Sequence, residues 1–196
     1  MPGRMIHARG GKSWFSPYSG RPEDYINSVS RSGLNKKLLD LTEAHENITL
    51  HFNSACQKID IEHAVGHFKN TKTEEMTTEH GTVVIGTDGA GSAVRRSLMG
   101  RTTDLLFNYS QHFLRHGYKE LSIHPAADGS YQINKNALHI WPRDTFMIIA
   151  LPNLDGSFTV TAFFPNEGEN SFAALDNEER VTRFFKTYFS GLIDYC

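Results

Sequence analysis

Apolar and polar positions change their spacing twice along this chain. At the start, Met5-Ile6-His7 and Trp14-Phe15 surround the turn residues Gly10, Gly11, Ser16 and Pro17, which predicts a β-hairpin over residues 1–18. Leu34, Leu38 and Leu41 then recur at helical spacing, with lysines and a glutamate on the other face. An amphipathic helix is expected in YINSVSRSGLNKKLLDLTEAHEN, with Ser30 or Ser32 as its N-cap. NITLHFN alternates as a strand and CQKIDIEH offers a second, whereas the polar FKNTKTEEMTTEHG reads as a loop or an exposed hairpin tip. TVVIGTDGAG begins with a continuous apolar run, the signature of a buried strand entering a glycine turn.

From about Ser110 the spacing becomes that of β-strands. HGYKELSIHP, YQINKNALHIWP, TFMIIALP and SFTVTAFFP are separated by Asp128-Gly129, Pro142 to Asp144 and Asn153 to Gly156. They predict a four-stranded meander with one face packed and the other available. The last segment, NEERVTRFFKTYFSGL, places Val181, Phe184, Phe185 and Tyr188 on one side of a helix. The expected fold is therefore α/β in the α+β sense: an α/β piece over residues 1–109, then an antiparallel sheet with a C-terminal helix over residues 110–196.

The glycine turn invites comparison with the dinucleotide fingerprint, whose glycines let the backbone approach a pyrophosphate at a helix N-terminus. With Gly89-Ala90-Gly91 as G-x-G, the third small position falls on Val94, whose branched side chain hinders close helix–strand packing. The turn is thus expected to touch a cofactor without being its main phosphate cradle. Asp88, just before the turn, stands where α/β sheets place ligands, and equally where an aspartate caps the following helix.

Composition narrows the classes. A net charge of −2 offers no basic excess for nucleic acid and no acidic excess for disorder. Apolar runs such as Met147 to Leu151 are too short to span a bilayer, and MPGRMIHARGG has no signal-peptide core. Cys56 and Cys196 form no metal or redox pattern, so a reducing compartment, by default the cytoplasm, is expected. The chain enters structured sequence at once and stops just after an aromatic amphipathic segment, which reads as a piece of a longer protein.

Ten histidines raise a metal reading, and His63/His67 and His112/His116 are spaced i,i+4. A glycine lies between the first pair and no glutamate follows either leading histidine, so no metal site is expected. Neither a nucleophile elbow nor a phosphate-binding P-loop is present. Arg4 and Tyr18 are of more interest: a guanidinium grips a carboxylate bidentately and a phenol adds a further donor.

GRMIH, Pro17-Tyr18, YINSVSRSGLNKKLL, LHFN, VVIGTDGAGSAVR, HGYKEL and above all LHIWPRDTFMIIALPN resemble the kynurenine 3-monooxygenase family of flavin-dependent aromatic hydroxylases. The resemblance covers essentially all 196 residues and identifies the chain as a central portion. It implies that residues 1–109 are part of an FAD/NAD(P)-binding, Rossmann-like domain with an inserted substrate-contacting segment, and that residues 110–196 are the substrate domain. It further implies that Arg4 and Tyr18 hold the amino-acid carboxylate of L-kynurenine, and that Leu138, Ile149, Leu151, Thr161 and Phe163 line the aromatic pocket. Arg31, a backbone group at Cys56, Asp88 and the turn through Ala93 are implied to face FAD. The alternative for each pocket residue is plain packing in the sheet.

The implied reaction is ring hydroxylation, with NADPH reducing FAD and the reduced flavin using O₂. No protein residue is needed as catalytic acid or base, because the aniline nitrogen activates its own ring. Members of the family begin with a βαβ unit bearing G-x-G-x-x-G and later carry G-D-A-A-H, and neither is in this chain. C-terminal helices that close the pocket, and anchor eukaryotic members to the mitochondrial outer membrane, are also outside it. Competing readings are a non-catalytic remnant or binding module, and a related hydroxylase with another aromatic acid as substrate.

Overall fold

The computed structural model describes residues 1–21, 23–193 and 195; Cys196, half of the cysteine argument, lies outside them. Contacts divide the chain into two compact units, Met1–Lys37 with Phe113–Cys196, and Leu38–His112. The hairpin near the N-terminus therefore folds with the second sheet, and the single piece expected over residues 1–109 is divided.

In the first unit, β1 (Gly3–His7) and β2 (Ser13–Pro17) form the expected antiparallel hairpin. They join β6 (His116–Ile123), β7 (Ala137–Arg143), β8 (Phe146–Pro152) and β9 (Phe158–Pro165) in one sheet of order β2-β1-β7-β8-β9-β6. Every neighbouring pair is antiparallel except β1 and β7, which run parallel. The sheet corrects the expected meander, because β6 pairs with β9 and not with β7. Both edges of β7 are taken, by β1 and β8, so β6 finds its free neighbour on the far side.

Alternation decides which face is packed. Phe158, Val160, Ala162 and Phe164 on β9 and Phe146, Ile148 and Ala150 on β8 are all buried. Onto this face pack α4 (Glu178–Tyr188) and α5 (Ser190–Ile193), bringing Phe184, Phe189 and Leu192 against Phe146 and Phe164. Ring centroids of Phe146, Phe164, Phe184 and Phe189 lie between 5.3 and 6.2 Å apart. Asn177 caps α4 by accepting from the Arg180 amide at 3.0 Å, and Glu178 and Glu179 suit its positive end.

α1 (Arg31–Glu43) starts at Ser30, whose hydroxyl accepts from the Gly33 amide at 3.1 Å. The second unit holds β3 (Ser54–Asp60), β4 (Val65–Asn70), β5 (Met76–His80), α2 (Ala93–Met99) and α3 (Thr102–Leu105). Its three strands form an antiparallel sheet, and α2 packs on β3, where Ser97 Oγ accepts from the Ile59 amide at 2.9 Å. NITLHFN, expected as a strand, is turn and irregular chain: Asn53 has φ of +57°, which ends any extended run before β3. The polar FKNTKTEEMTTEHG supplies most of the β4–β5 hairpin, since threonine favours strands even where they face water. TVVIGTDGAG is not a buried strand: no described strand pairs with it, and Val83 and Ile85 are 74% and 80% exposed. No helix among the described residues is long and apolar enough to cross a membrane.

Candidate functional site

The face of the six-stranded sheet opposite the phenylalanine core carries the expected pocket residues. Leu138, Ile149, Leu151, Thr161 and Phe163 alternate with buried neighbours and are themselves half-buried. Register aligns them across strands: Arg4 lies opposite Leu138, Ile149 opposite Thr161, and Thr161 opposite Glu120. None of the five belongs to the buried core cluster.

Arg4 and Tyr18 meet beside this face. β1 presents Arg4, and Tyr18, just past β2, is held by its amide on the Pro2 carbonyl at 3.1 Å. The guanidinium carbon stands 4.7 Å from the centre of the Tyr18 ring. The Tyr18 hydroxyl is shut off from water, yet has no hydrogen-bond partner among the described residues. Arg4 makes no ion pair among the described residues, so a cation and an unpartnered donor sit side by side.

A groove of about 860 Å³ opens over the same unit. Arg31, at the start of α1, lines it with Leu151 and Thr161, together with Glu120, Asn153 and Thr159. Leu138, Ile149, Phe163 and Arg4 are on the sheet face but outside the wall of this groove. Glu120, Asn153 and Thr159 were missed by sequence reasoning; Glu120 and Thr159 show themselves only through the register that aligns them with Thr161 and Leu151.

The remaining expected cofactor residues, Cys56, Asp88 and Ala93, belong to the second unit. Ser92 is the N-cap of α2 and Asp88 backs it: Oδ1 accepts from Ser92 Oγ at 2.5 Å, and Oδ2 from the Ala93 and Val94 amides at 2.6 and 3.3 Å. Ser92 Oγ in turn accepts from the Arg95 amide at 2.9 Å. These donors, the Ser92 hydroxyl first, hold the Asp88 carboxyl below its usual pKa. Ala93 is buried and its amide is given to Asp88. Cys56 lies on β3, where burial and the charge of Asp88 push its thiol pKa up, which favours the protonated form.

Val94 does not hinder the turn. A Cβ on Gly86 would lie 2.9 Å from Val94 Cγ1, so the space for close packing comes from Gly86 and not from the helix. Beyond it the turn is bare. Gly89 has φ of +73°, and no atom lies within 4 Å of where a Cβ would stand on Gly89 or Gly91. Arg95 and Arg96 donate to the carbonyls of Gly89, Ala90 and Gly91, while the amides of these three residues donate to no described group. An exposed glycine turn beside two guanidiniums is chemically suited to an anion.

The i,i+4 histidines are not on helices. His63 turns to Asp60 at 2.9 Å, His67 is on β4, and His116, at the start of β6, donates from Nε2 to the Thr145 carbonyl at 2.7 Å.

Replacing Asp88 by alanine is expected to melt the second unit earlier and fray α2. Because the native carboxyl is shifted down, its contribution is present above the ordinary carboxylate pKa and is lost as pH falls through the lower native value. Amide exchange in α2, followed against pH in both proteins, checks this: the acid-dependent loss disappears in Asp88→Ala.

Comparison with solved structures gives the class first. The myxobacterial chondrochloren halogenase CndH, an FAD-dependent halogenase, aligns over 99% of this chain and 43% of its own, with TM-score 0.66 and 14% identity. Klebsiella pneumoniae HpxO, complexed with FAD and uric acid, aligns over 100% of this chain and 49% of its own, with TM-score 0.57 and 15% identity. The fold is therefore that of FAD-dependent monooxygenases and halogenases. By sequence the chain is similar to kynurenine 3-monooxygenase of Dictyostelium discoideum, 47% identical over 189 residues, which bears out the resemblance carried by GRMIH and LHIWPRDTFMIIALPN. That match takes in 96% of this chain but 40% of the relative, so the chain spans about two fifths of its length. No family model matches the chain.

Proposed function

We propose that this chain supplies the substrate-holding sheet and a cofactor-facing turn of an aromatic hydroxylase that converts L-kynurenine to 3-hydroxykynurenine with FAD, NADPH and O₂. The observation that carries the reading is the buried, unpartnered Tyr18 hydroxyl beside the unpaired Arg4 guanidinium, at the edge of an apolar sheet face. A carboxylate pairs with the Arg4 guanidinium and, admitted by a small shift of the hairpin, satisfies the Tyr18 hydroxyl as well; an aromatic ring then lies along Leu138, Ile149, Leu151 and Phe163, with the Thr161 hydroxyl among them. Bound FAD, once reduced by NADPH, supplies the oxygen-activating chemistry. The chain's residues bind and orient: Arg4 and Tyr18 fix the amino-acid end, the sheet face sets the ring plane and excludes water, and no side chain has to move a proton. Within the second unit, the Cys56 backbone and the Gly89–Gly91 turn, shaped by Asp88, are the groups offered to FAD; Arg31, in the first unit, is the cofactor residue implied by the resemblance. The partner is a small molecule, not nucleic acid, and the cysteine usage fits a reducing, cytoplasmic setting.

Titrating the chain with L-kynurenine and with kynuramine, the same molecule without its carboxylate, tests the reading by chemical-shift changes. Arg4→Ala is expected to weaken L-kynurenine by about 10- to 100-fold, the value of a charge-assisted bond of about 1.5–3 kcal/mol, and to leave kynuramine unchanged. Equal weakening of both ligands would overturn the carboxylate role.

A further inference from the structure

β1 and β7 make the parallel seam through which the hairpin bearing Arg4 and Tyr18 enters the sheet. On the core side of that seam lie two histidines that sequence reasoning passed over. His7 Nε2 is 2.8 Å from His139 Nδ1, His139 Nε2 is 2.8 Å from the Asn134 carbonyl, and His7 Nδ1 is 2.9 Å from Ser13 Oγ. His7 also stacks on Trp141, with centroids 4.3 Å apart and planes within 9°, and His139 meets Phe158 edge-on.

The chemistry of these contacts fixes the protons. A carbonyl only accepts, so His139 carries its hydrogen on Nε2 and leaves Nδ1 bare. That nitrogen must accept, so His7 donates from Nε2, and its own Nδ1 accepts the Ser13 hydroxyl. The result is one directed chain, Ser13 to His7 to His139 to Asn134, linking β2, β1 and β7 across 132 residues of sequence between the two rings. Arg143 adds a guanidinium beside it, donating to the His7 carbonyl at 3.0 Å and to the Tyr188 carbonyl at 2.6 Å. No carboxylate among the described residues makes a hydrogen bond or ion pair with either ring, so the charge facing the pair is that of Arg143.

We propose that the His7–His139 pair, kept neutral, is a positioning device that locks β1 onto β7 and thereby sets Arg4 against Leu138. The role rests on the reading of Arg4 as the carboxylate anchor. Burial, the partner ring and Arg143 push His7 down to about 4, and burial also lowers His139. Native pKa values below that of a free histidine mean that the unfolded chain takes up more protons as the solution is acidified. The seam's stability is full above the ordinary histidine value and falls as pH drops through the window down to about 4.

Three measurements on the chain test the proposal. Nitrogen-15 spectra of the imidazoles at neutral pH should show both rings protonated on Nε2; a hydrogen on Nδ1 of either ring would overturn the chain of donors. Amide exchange in β1 and β7 should accelerate between pH 7 and 4 relative to β8 and β9, and an unchanged ratio counts against the lock. His7→Phe keeps a flat ring on Trp141 but removes both imidazole bonds. It should speed exchange at residues 3–6 and 137–140 about tenfold, and weaken L-kynurenine about tenfold while sparing kynuramine. Uniform loosening of the whole sheet would mean a merely structural role. If His7→Phe does not fold, the spectra and the acid series on the unmodified chain still decide. If L-kynurenine fails to bind the unmodified chain, the reading of Arg4 falls, and exchange at the seam alone judges the histidine pair.

Discussion

Phe164→Ala should lower the unfolding free energy of the first unit by about 3–5 kcal/mol, whereas Phe163→Ala, one residue away, should cost less than about 1 kcal/mol. The difference comes from the alternation of β9. Phe164 is 2% exposed and its ring meets Phe146, Phe172, Phe184 and Phe189, so truncation leaves a cavity lined by rigid aromatic rings that cannot collapse into it. Phe163 is on the open face, aligned with Met147 and Tyr118. Its removal should spare the melting transition but weaken both L-kynurenine and kynuramine, because the contact is to the ring and not to the carboxylate. Thermal melts with paired ligand titrations check both halves. Similar stability losses at the two positions would mean that the two faces of the sheet have been assigned wrongly.

Which face is which could not be read from β8. FMIIALP is apolar at both parities, Phe146, Ile148 and Ala150 on one side and Met147, Ile149 and Leu151 on the other, so alternation alone selects neither. The choice is made by α4, whose aromatic stripe was legible because Val181, Phe184, Phe185 and Tyr188 share helical spacing. The hairpin of β1 and β2 and the Ser30 cap of α1 were legible for the same reason: the determinants lie within a few residues of one another. TVVIGTDGAG was misread because an apolar run is buried only by a neighbour, and pairing with a distant strand leaves no local mark. The parallel seam of β1 on β7 was invisible on the same ground, and with it the meaning of His7 and His139, each of which looks alone like a stray histidine in an apolar strand. Arg4 and Tyr18 were legible as a pair, because the hairpin that brings them together is itself local in sequence.

Closing the hairpin depends on a missing side chain. Gly3→Ala is expected to destabilise the first unit by about 1–3 kcal/mol and to weaken L-kynurenine more than kynuramine. A Cβ at Gly3 would stand 2.5 Å from the Ser16 carbonyl oxygen, 2.6 Å from the Phe15 ring and 2.8 Å from Pro17 Cα. The ring can turn away, but the other two atoms are backbone of β2, and Gly3 is paired with Pro17 on one side and Ala137 on the other. Admitting the methyl group therefore means moving β2 away from β1. That movement carries Tyr18 off Arg4, because Tyr18 follows Pro17 directly, and it strains the bond that ties the Tyr18 amide to the Pro2 carbonyl. Gly20→Ala is the control: no atom lies within 4 Å of its Cβ position, and its backbone has no positive φ to strain. Melts and ligand titrations that fail to distinguish Gly3→Ala from Gly20→Ala would remove the hairpin from any part in holding the carboxylate.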